Sequence, residues 1–284
     1  MNYTPACAKI RKKPKESYVM EQKKTILITG AASGIGAAAR ARLSSLGHRV
    51  IGLDISHTGE VDSHVCDITS EERLREIASS LKENGITLDV IIHAAGIHAM
   101  CSLVEGECNK MRRLIDVNLI GAMNVCRILH ECLAEHGRIV IVTSEVAPLD
   151  PMPFNGLYNV SKTALDCYAQ ALRQELGLIG QTVVTVRPGA VETPLARGSL
   201  DATETLSRDT VLYRRQAGRF LTITKRFMGT PISPARLARV IERAALSRRP
   251  RLVYSKHRSL GLLALSALPK RLQCFVIKTL LGGK

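Results

Sequence analysis

Residues 25–36 read Thr-Ile-Leu-Ile-Thr-Gly-Ala-Ala-Ser-Gly-Ile-Gly, and this stretch decides the fold class. Its aliphatic part, Thr25–Thr29, predicts a buried strand, and a helix-like segment over 35–46, closed by Gly47, follows the glycines. Glycines permit a tight turn, while the first turn of a helix directs free N–H groups and a positive dipole end at an anion. The stretch therefore predicts a phosphate-binding loop, whose candidate contact residues are Gly30, Ser33, Gly34, Ile35 and Gly36.

Beyond this loop, aliphatic strand-like runs alternate with helix-like stretches as far as about residue 255. Further strands are predicted over 49–53, 89–93, 138–143 and 182–187, and helices over 110–135, over 156–179, and onward from Ser70 and Ser233. Repeated alternation of strand and helix predicts an α/β fold, a doubly wound parallel sheet with helices on both faces.

Two carboxylates near strand ends extend the predicted site toward an adenosine. Asp54 ends the second strand, 18 residues beyond Gly36, close to the spacing at which a carboxylate bonds the ribose hydroxyls of a dinucleotide. Because Asp54 would repel the 2′-phosphate of NADP and no basic residue directly follows it, NAD is the predicted cofactor and NADP is disfavoured. Asp67, followed by Ile68, is placed to contact the adenine. A turn or helix-cap role is the alternative for both carboxylates.

Tyr158 and Lys162 stand four residues apart, on one face of a predicted helix. A phenol with a pKa of about 10 is a weak acid–base catalyst at neutral pH, so it needs a neighbouring cation that stabilises the phenolate. Ser144, at the end of a strand, would donate a hydrogen bond to a substrate oxygen, and Asn118 lies where a helical kink would hold a water molecule. Each residue alone could also serve an ordinary structural role; their joint order favours catalysis.

Six short motifs in this order resemble the short-chain dehydrogenase/reductase family over about residues 25–255. They are TGAASGIG at 29–36, HAAG at 93–96, VNLIG at 117–121, VTS at 142–144, YNVSK at 158–162 and RPGAVET at 187–193. The resemblance implies a single Rossmann-type domain with a parallel sheet of about seven strands and a catalytic tetrad of Asn118, Ser144, Tyr158 and Lys162. It also implies cofactor contacts by Tyr158, by Lys162 and by residues at the ends of other strands, namely Ala95, Gly96, Pro188, Gly189, Val191 and Thr193, the last near the carboxamide.

The chain departs from the family pattern in two places. The usual Asn-Asn-Ala-Gly is His-Ala-Ala-Gly at 93–96, and we interpret His93 as structural. The spacing from Ser144 to Tyr158 is one residue longer than the commonest value and includes prolines. The conformation of this loop is therefore not predicted, whereas the assignment of the tetrad is unaffected. The resemblance further predicts a homodimer or homotetramer, formed through the helices that contain Asn118 and Tyr158.

The formal charge of +15 is confined to the two ends of the chain. Residues 1–24 carry seven Lys or Arg against two Glu, residues 243–284 carry ten Lys or Arg and no acid, and residues 25–242 hold 23 of each sign. The chain is therefore divided into a basic tail (1–24), one catalytic domain (25–255) and a basic amphipathic C-terminal extension. The basic ends predict peripheral contact with an anionic membrane. Nucleic-acid binding is not predicted, because no recognition module or interleaved aromatic residues accompany the charge.

Two segments with apolar side chains indicate which part of the chain binds the substrate and what kind of substrate it is. Residues 194–232 form a predicted lid with weak strand signals, and its apolar side chains favour a hydrophobic substrate, with ordinary helix packing as the alternative. The extension, 256–284, contains apolar runs at 260–268 and 274–277 and resembles the C-termini of retinol and hydroxysteroid dehydrogenases. These runs are too short to span a bilayer, so they lie on a membrane or dock on the subunit and wall the pocket.

Together these features predict an NAD-dependent oxidoreductase that interconverts an alcohol and its carbonyl on a steroid, retinoid or long-chain substrate. Two alternatives are kept. A 3-oxoacyl carrier-protein reductase would have an acidic partner for the basic surface, but that activity usually draws on NADPH. A dinucleotide-sensing regulator would share the fold, but such proteins tend to lose the Tyr/Lys pair, which this chain keeps.

Cysteine usage and targeting signals predict the compartment. The eight cysteines form no CxxC pair and no Cys/His ligand spacing, which predicts no metal site and a reducing environment. The N-terminus lacks the apolar region of a secretory signal, and no segment reaches the length of a membrane span. A cytoplasmic protein is expected, with peripheral membrane contact through its basic ends.

Overall fold

The computed structural model describes residues 23–57, 59–227 and 230–283. Most of the predicted basic tail, 1–24, therefore lies outside the described residues. The described part forms a parallel seven-stranded sheet in the spatial order β3-β2-β1-β4-β5-β6-β7. The strands are β1 Thr25–Thr29, β2 Arg49–Asp54, β3 Ser63–Val65, β4 Leu88–His93, β5 Leu133–Val142, β6 Thr182–Pro188 and β7 Val253–Lys256.

Helices cover both faces of this sheet and complete a Rossmann-type fold, which confirms the predicted class. They are α1 Gly34–Ser45, α2 Glu71–Glu83, α3 Cys108–Ile115, α4 Gly121–Leu129, α5 Gly156–Gly177, α6 Pro194–Asp209, α7 Arg214–Phe227, α8 Pro234–Leu246, α9 Leu260–Ser266 and α10 Lys270–Leu281.

The sheet separates two aliphatic layers. On one face, Leu27, Ile91 and Ile139 are fully buried in a cluster with residues of α2, α4 and α5. On the other face, the neighbouring residues Ile28 and Val140 are buried with residues of α1 and α8. Because the strands are covered on both sides, they appear in the sequence as unbroken aliphatic runs.

The site lies where the strand order reverses. β1 pairs with β2 on one side and with β4 on the other, so successive crossovers run in opposite directions from it. Ligands of open α/β sheets bind in the crevice outside the carboxyl ends of strands at such a point. The glycine-rich loop, Asp54 and His93 all stand at these strand ends.

The predicted long helix over 110–135 is divided. α3 and α4 flank a π-helical turn, Asp116–Ile120, and a 3-10 turn, His130–Cys132, ends the run. The break at Asn118 agrees with the predicted kink. β5 then begins at Leu133, several residues before the predicted start, because the strand extends through an irregular pairing with β4.

The weak strand signals over 194–232 were wrong, since the described part of this segment forms the helices α6 and α7. Thr193 caps α6, and Pro194 occupies its first turn, where a missing N–H costs nothing. α7 packs its inner face into a third apolar cluster, whose buried members are Phe154, Ala217, Phe220 and Leu281.

The C-terminal extension folds back on the loop between β5 and α5. Glu145 accepts a hydrogen bond from the N–H of Ser259, just before α9, at 2.5 Å. Asp150 is bonded by three residues of the extension, namely Ser266, Lys270 and Gln273. None of the described helices has the length and apolar character needed to cross a membrane.

Candidate active site

The glycine-rich loop turns sharply at the carboxyl end of β1. Gly30 has a φ of +70°, and a Cβ there would lie 2.8 Å from the Cα of Ala95. A Cβ at Gly36 would lie 2.0 Å from the carbonyl oxygen of Gly30. Only glycine fits these two positions, and the loop therefore brings the start of α1 close to residues 94–96. Ser33 occupies the N-cap without a capping side-chain bond, which leaves the first N–H groups of α1 for a phosphate.

Asp54 is held beside this loop by two backbone groups. One carboxylate oxygen accepts the N–H of Ala32 at 2.9 Å, and the other accepts the N–H of Ser56 at 3.1 Å. These bonds fix the side chain at the end of β2, where it lines the cleft. Its remaining lone pairs can accept hydrogen bonds from a ribose diol.

Asp67 serves its own turn as well as the cleft wall. Its carboxylate accepts the N–H of Thr69 at 2.9 Å and forms an ion pair with Arg113 at 2.8 Å. Burial opposes ionisation of Asp67, but the bonds from Arg113 and Thr69 prevail and lower its pKa. The helix cap of α2 is Ser70 instead, whose side chain accepts the N–H of Arg73.

One cleft of about 240 Å³ joins most of the predicted cofactor residues. The predicted residues that line it are Gly30, Ser33, Gly34, Ile35, Gly36, Asp54, Asp67, Ile68, Ala95, Gly96 and Thr193. Sequence reasoning missed other lining residues, among them Leu53, Cys66, Ile97, Arg113, Val117 and Leu195. No sequence motif indicates Arg113, because α3 brings it to Asp67 from a distant segment.

The residues predicted for the nicotinamide side lie only partly in this cleft. Thr193 lines the cleft, and its Cγ2 would lie 3.2 Å from a Cβ at Gly34. Pro188, Gly189 and Val191 are not among the residues that line this cleft. Gly189 donates its N–H to the carbonyl of Lys256 at 2.8 Å, and Val191 is buried in the sheet's second aliphatic layer.

Ser144, Tyr158 and Lys162 meet beyond the end of β5. Ser144 lies beside Tyr158 and lowers the pKa of its hydroxyl, and Lys162 Nζ lies 5.9 Å from the centre of the Tyr158 ring. Lys162 and Ser144 are 5% and 8% exposed, so both are largely screened from bulk water. The four-residue spacing on α5 produces this arrangement, because positions i and i+4 share one helical face.

Asn118 connects the π-helical turn to the loop after β4. Its side chain accepts the N–H of Ile97 at 2.8 Å and donates to the Ile97 carbonyl at 2.9 Å and to Ser161 at 3.1 Å. A Cβ at Gly96 would lie 3.1 Å from Asn118 Oδ1 and 3.3 Å from Lys162 Nζ. Gly96 therefore leaves space between the cleft and the catalytic group, and this gap, with the glycine cradle, fits a bound dinucleotide.

Burial governs the protonation of the catalytic pair. It raises the pKa of Tyr158 to about 12, against a smaller opposite effect of Ser144. Burial also lowers the pKa of Lys162 to about 8. Tyr158 is therefore a protonated phenol at neutral pH, next to an ammonium group that is still largely charged.

Two histidines lie beside this group. His98 has its ring centre 4.3 Å from that of Tyr158, and its Nε2 lies 3.0 Å from Asn155 Oδ1. Burial lowers the pKa of His98 to about 4. His93 is fully buried and shares a hydrogen bond with Thr29 at 3.0 Å. No sequence signal singles out His98, since the loop 98–104 carries no recognised motif.

Comparison with known proteins is consistent with this geometry. The family described as short chain dehydrogenase matches residues 24–204, more than half of the chain. The 3-oxoacyl-[acyl-carrier-protein] reductase of Thermotoga maritima is 31% identical over 212 residues, covering 69% of this chain and 84% of that protein.

Solved structures share the fold. The 3-ketoacyl-(acyl-carrier-protein) reductase of Brucella melitensis, complexed with NADH, has a TM-score of 0.66 and 22% identity, covering 82% of this chain and 96% of that one. The protein ElxO with NADP bound has a TM-score of 0.65 and 21% identity, covering 82% and 97%. At these identities the likeness shows the fold alone.

Proposed function

The chain belongs to the short-chain dehydrogenase family, and on that premise we propose that it is an NAD-dependent oxidoreductase interconverting a secondary or primary alcohol and its carbonyl on a lipophilic substrate. The observation that supports the reaction best is the meeting of Tyr158, Ser144 and Lys162 next to the glycine-rich cleft. A dinucleotide-sensing regulator would not need a half-buried phenol beside a buried ammonium group.

Each member of the group has a separate task in this proposal. The hydride would be supplied or accepted by a nicotinamide ring bound in the cleft. Tyr158 donates its proton to the carbonyl oxygen during reduction and takes it back during oxidation. Ser144 donates a hydrogen bond to the same oxygen, and the Lys162 cation stabilises the phenolate that Tyr158 becomes. The π-helical turn at Asn118 would hold the water that returns the proton.

The preference for NAD is proposed from Asp54. Its carboxylate is fixed by Ala32 and Ser56 at the place where the adenosine ribose is expected. A 2′-phosphate would meet this negative charge at short range, which is unfavourable in a partly desolvated cleft. A ribose diol would instead donate hydrogen bonds to it.

A lipophilic substrate is proposed from a second, apolar cavity of about 560 Å³ next to the catalytic loop, residues 143–155 between β5 and α5. Gly156, which lines this cavity, begins the helix that carries Tyr158. Phe154, Leu103 and Tyr213 are further wall residues. A cavity of this size and lining suits the body of a steroid, retinoid or long-chain alcohol.

A steady-state screen tests the proposal. Hydroxysteroids, retinol, long-chain alcohols and 3-oxoacyl thioesters are assayed with NAD(H) and with NADP(H), and the reduced nicotinamide is followed by absorbance. We expect the highest kcat/KM with a lipophilic alcohol and NAD. The absence of turnover with every pair would overturn the oxidoreductase proposal, while higher kcat/KM with NADPH would overturn only the cofactor preference.

A 3-oxoacyl carrier-protein reductase is the second candidate, favoured by the Thermotoga maritima relative. The helices α7 and α10 carry basic residues and no acidic ones, which suits an acidic carrier protein. In the same screen, this candidate requires 3-oxoacyl thioesters to exceed every alcohol in kcat/KM, with a further increase when the acyl chain is attached to its carrier protein.

A further inference from the structure

The apolar cavity beside the catalytic loop has a single charged residue among the described residues that line it, Lys278. Its walls come from the segments 102–104 and 151–156, from the start of α7 and from α10. Phe154 and Leu281 are buried members of the wall, whereas Lys278 is exposed at the cavity mouth. An apolar chamber with one cation at its entrance is arranged for a ligand with two different ends.

No acidic residue offsets this cation on the helices around it. α7 and α10 together contain no Asp or Glu, and the guanidinium of Arg219 in α7 lies against Gly282 at the end of α10. Within the described ranges Lys278 forms no ion pair, whereas Lys270 at the start of α10 is paired with Asp150. Glu105, next to the wall residue Val104, accepts the N–H groups of Val211 and Leu212. The basic residues of α7 and α10 therefore favour an anionic group at the cavity mouth.

We propose that this cavity binds a single-chain amphiphile with an anionic group, its chain in the apolar chamber and its anion on the Lys278 ammonium. Burial of the chain stabilises the complex in proportion to the apolar surface removed from water. The charged end adds a charge-assisted hydrogen bond, which discriminates against neutral and cationic amphiphiles. The inference rests on the proposed function only in taking the amphiphile as the class of the substrate, since binding itself needs no turnover.

Calorimetric titration with decanoate and with decan-1-ol, which differ mainly in the charged end, tests the inference on the full chain. We expect decanoate to bind more tightly than decan-1-ol. Lys278→Ala should weaken decanoate binding about tenfold, as loss of one charge-assisted hydrogen bond predicts, and should change decan-1-ol binding less than twofold. Lys278→Arg should retain most of the affinity for decanoate.

Two further variants separate the cavity from general surface charge. Arg271→Ala removes an exposed cation from the same helix, outside the cavity wall, and should leave both ligands unaffected. Cys274→Trp places a large side chain at an exposed wall position and should weaken both ligands. Circular dichroism checks that each variant is folded.

The inference is overturned if Lys278→Ala binds decanoate as tightly as the wild type, if Arg271→Ala weakens it equally, or if Cys274→Trp leaves both affinities unchanged. These outcomes are independent of the proposed reaction. A chain that binds decanoate through Lys278 but turns over no alcohol or carbonyl would remove the proposed function and keep the site. A chain with dehydrogenase activity but no such binding would do the reverse.

Discussion

Burial disfavours the charged form of both Tyr158 and Lys162, so it raises the pKa of the phenol and lowers the pKa of the ammonium group. The pKa of Tyr158 is raised to about 12, so its proton stays available for donation. The pKa of Lys162 is lowered to about 8, so its charge is lost at moderately alkaline pH. At the scale of single residues, Tyr158 is therefore the proton donor, and Lys162 is a neighbouring cation whose charge depends on pH.

Tyr158→Phe should abolish turnover and leave dinucleotide binding nearly unchanged. The substitution removes the proton donor without touching the glycine-rich loop, and such general acid–base help contributes about 10²–10⁴ in rate. Measurement of kcat together with NADH affinity checks both parts. A Tyr158→Phe enzyme with near-normal kcat would show that another group transfers the proton.

The rate of carbonyl reduction should fall as the pH rises through about 8, because Lys162 with its lowered pKa loses its proton there. Below that pH the ammonium is present and stabilises the developing phenolate of Tyr158. The pH profile of kcat/KM measures this limb. Lys162→Arg keeps its charge across the same range and should move the fall to higher pH. A wild-type profile that stays flat well above this value would contradict the assignment.

Replacement of Asp54 should relax the preference for NAD over NADP. Loss of a repulsive charge in a partly desolvated cleft is expected to shift the discrimination by about 1–3 kcal/mol. Asp54→Asn is the informative variant, because it removes the charge and keeps an oxygen that can accept from Ala32. The ratio of kcat/KM for the two cofactors is the measurement; an unchanged ratio in Asp54→Asn would rule out electrostatic repulsion as the cause.

Sequence spacing was sufficient to predict the positions of residues that share a helix or follow a strand, such as Tyr158, Lys162 and Asp54. It was insufficient for His98 and Arg113, which come from other segments and meet the site only through tertiary packing. Single-residue roles that depend on the meeting of distant segments have no local sequence signal.

At the scale of whole elements, α7 of the predicted lid carries a helical apolar period in its sequence. Tyr213, Ala217, Phe220 and Ile223 follow each other at spacings of three or four and belong to one apolar cluster. That period is typical of a helix and outweighs the weak strand signals of the same stretch. The buried strands were found correctly, because short unbroken aliphatic runs between glycine-containing turns are typical of strands covered on both faces.

Asp150 couples two elements, the catalytic loop and the C-terminal extension. Its carboxylate is bonded by Lys270, by Gln273 at 3.1 Å and by Ser266 at 3.2 Å, and its pKa is lowered, chiefly by the Lys270 contact. These bonds stabilise the folded chain fully above the ordinary pKa of an aspartate, and this stabilisation is lost as the pH falls through the lowered pKa of Asp150.

Asp150→Ala should release the extension and reduce kcat severalfold, because the loop between Ser144 and Tyr158 loses its outer support. Limited proteolysis should cleave the variant faster than the wild type within α9 and α10. Glu83→Ala, at the exposed end of α2, is the matched control and should change neither measurement. Unaltered proteolysis of Asp150→Ala would show that the extension is held by its apolar contacts alone.

At the scale of the whole molecule, the extension has two different faces. Gln273 and Leu281 of α10 are buried against the protein, whereas Leu272, Phe275 and Leu280 are 45%, 64% and 53% exposed. Of the two sequence-based possibilities, lying on a membrane and docking on the subunit, the structure shows the second for the described part of the extension. The homo-oligomer, the membrane contact and the resemblance to retinol dehydrogenases stay predictions.

The outer face of α10 predicts attachment to an anionic membrane. Basic residues near an acidic bilayer contribute about 1 kcal/mol each, and apolar side chains that enter the interface add to this. Arg271 and Lys278 are interspersed with the exposed apolar residues of α10, and residues 243–284 contain no acid. The wild type should therefore co-sediment with phosphatidylserine vesicles and less with phosphatidylcholine vesicles, and salt should weaken the binding.

A point variant is the better test of this surface than deletion of the extension, because deletion would also remove the contacts of Glu145 and Asp150 with it. Phe275→Glu changes the exposed face and leaves those contacts in place. It should reduce sedimentation with acidic vesicles and retain the activity of the wild type on a water-soluble substrate. If the wild type stays in the supernatant with acidic vesicles at low salt, the exposed face of α10 has another partner, and a second copy of the chain becomes the next candidate to examine by sedimentation velocity.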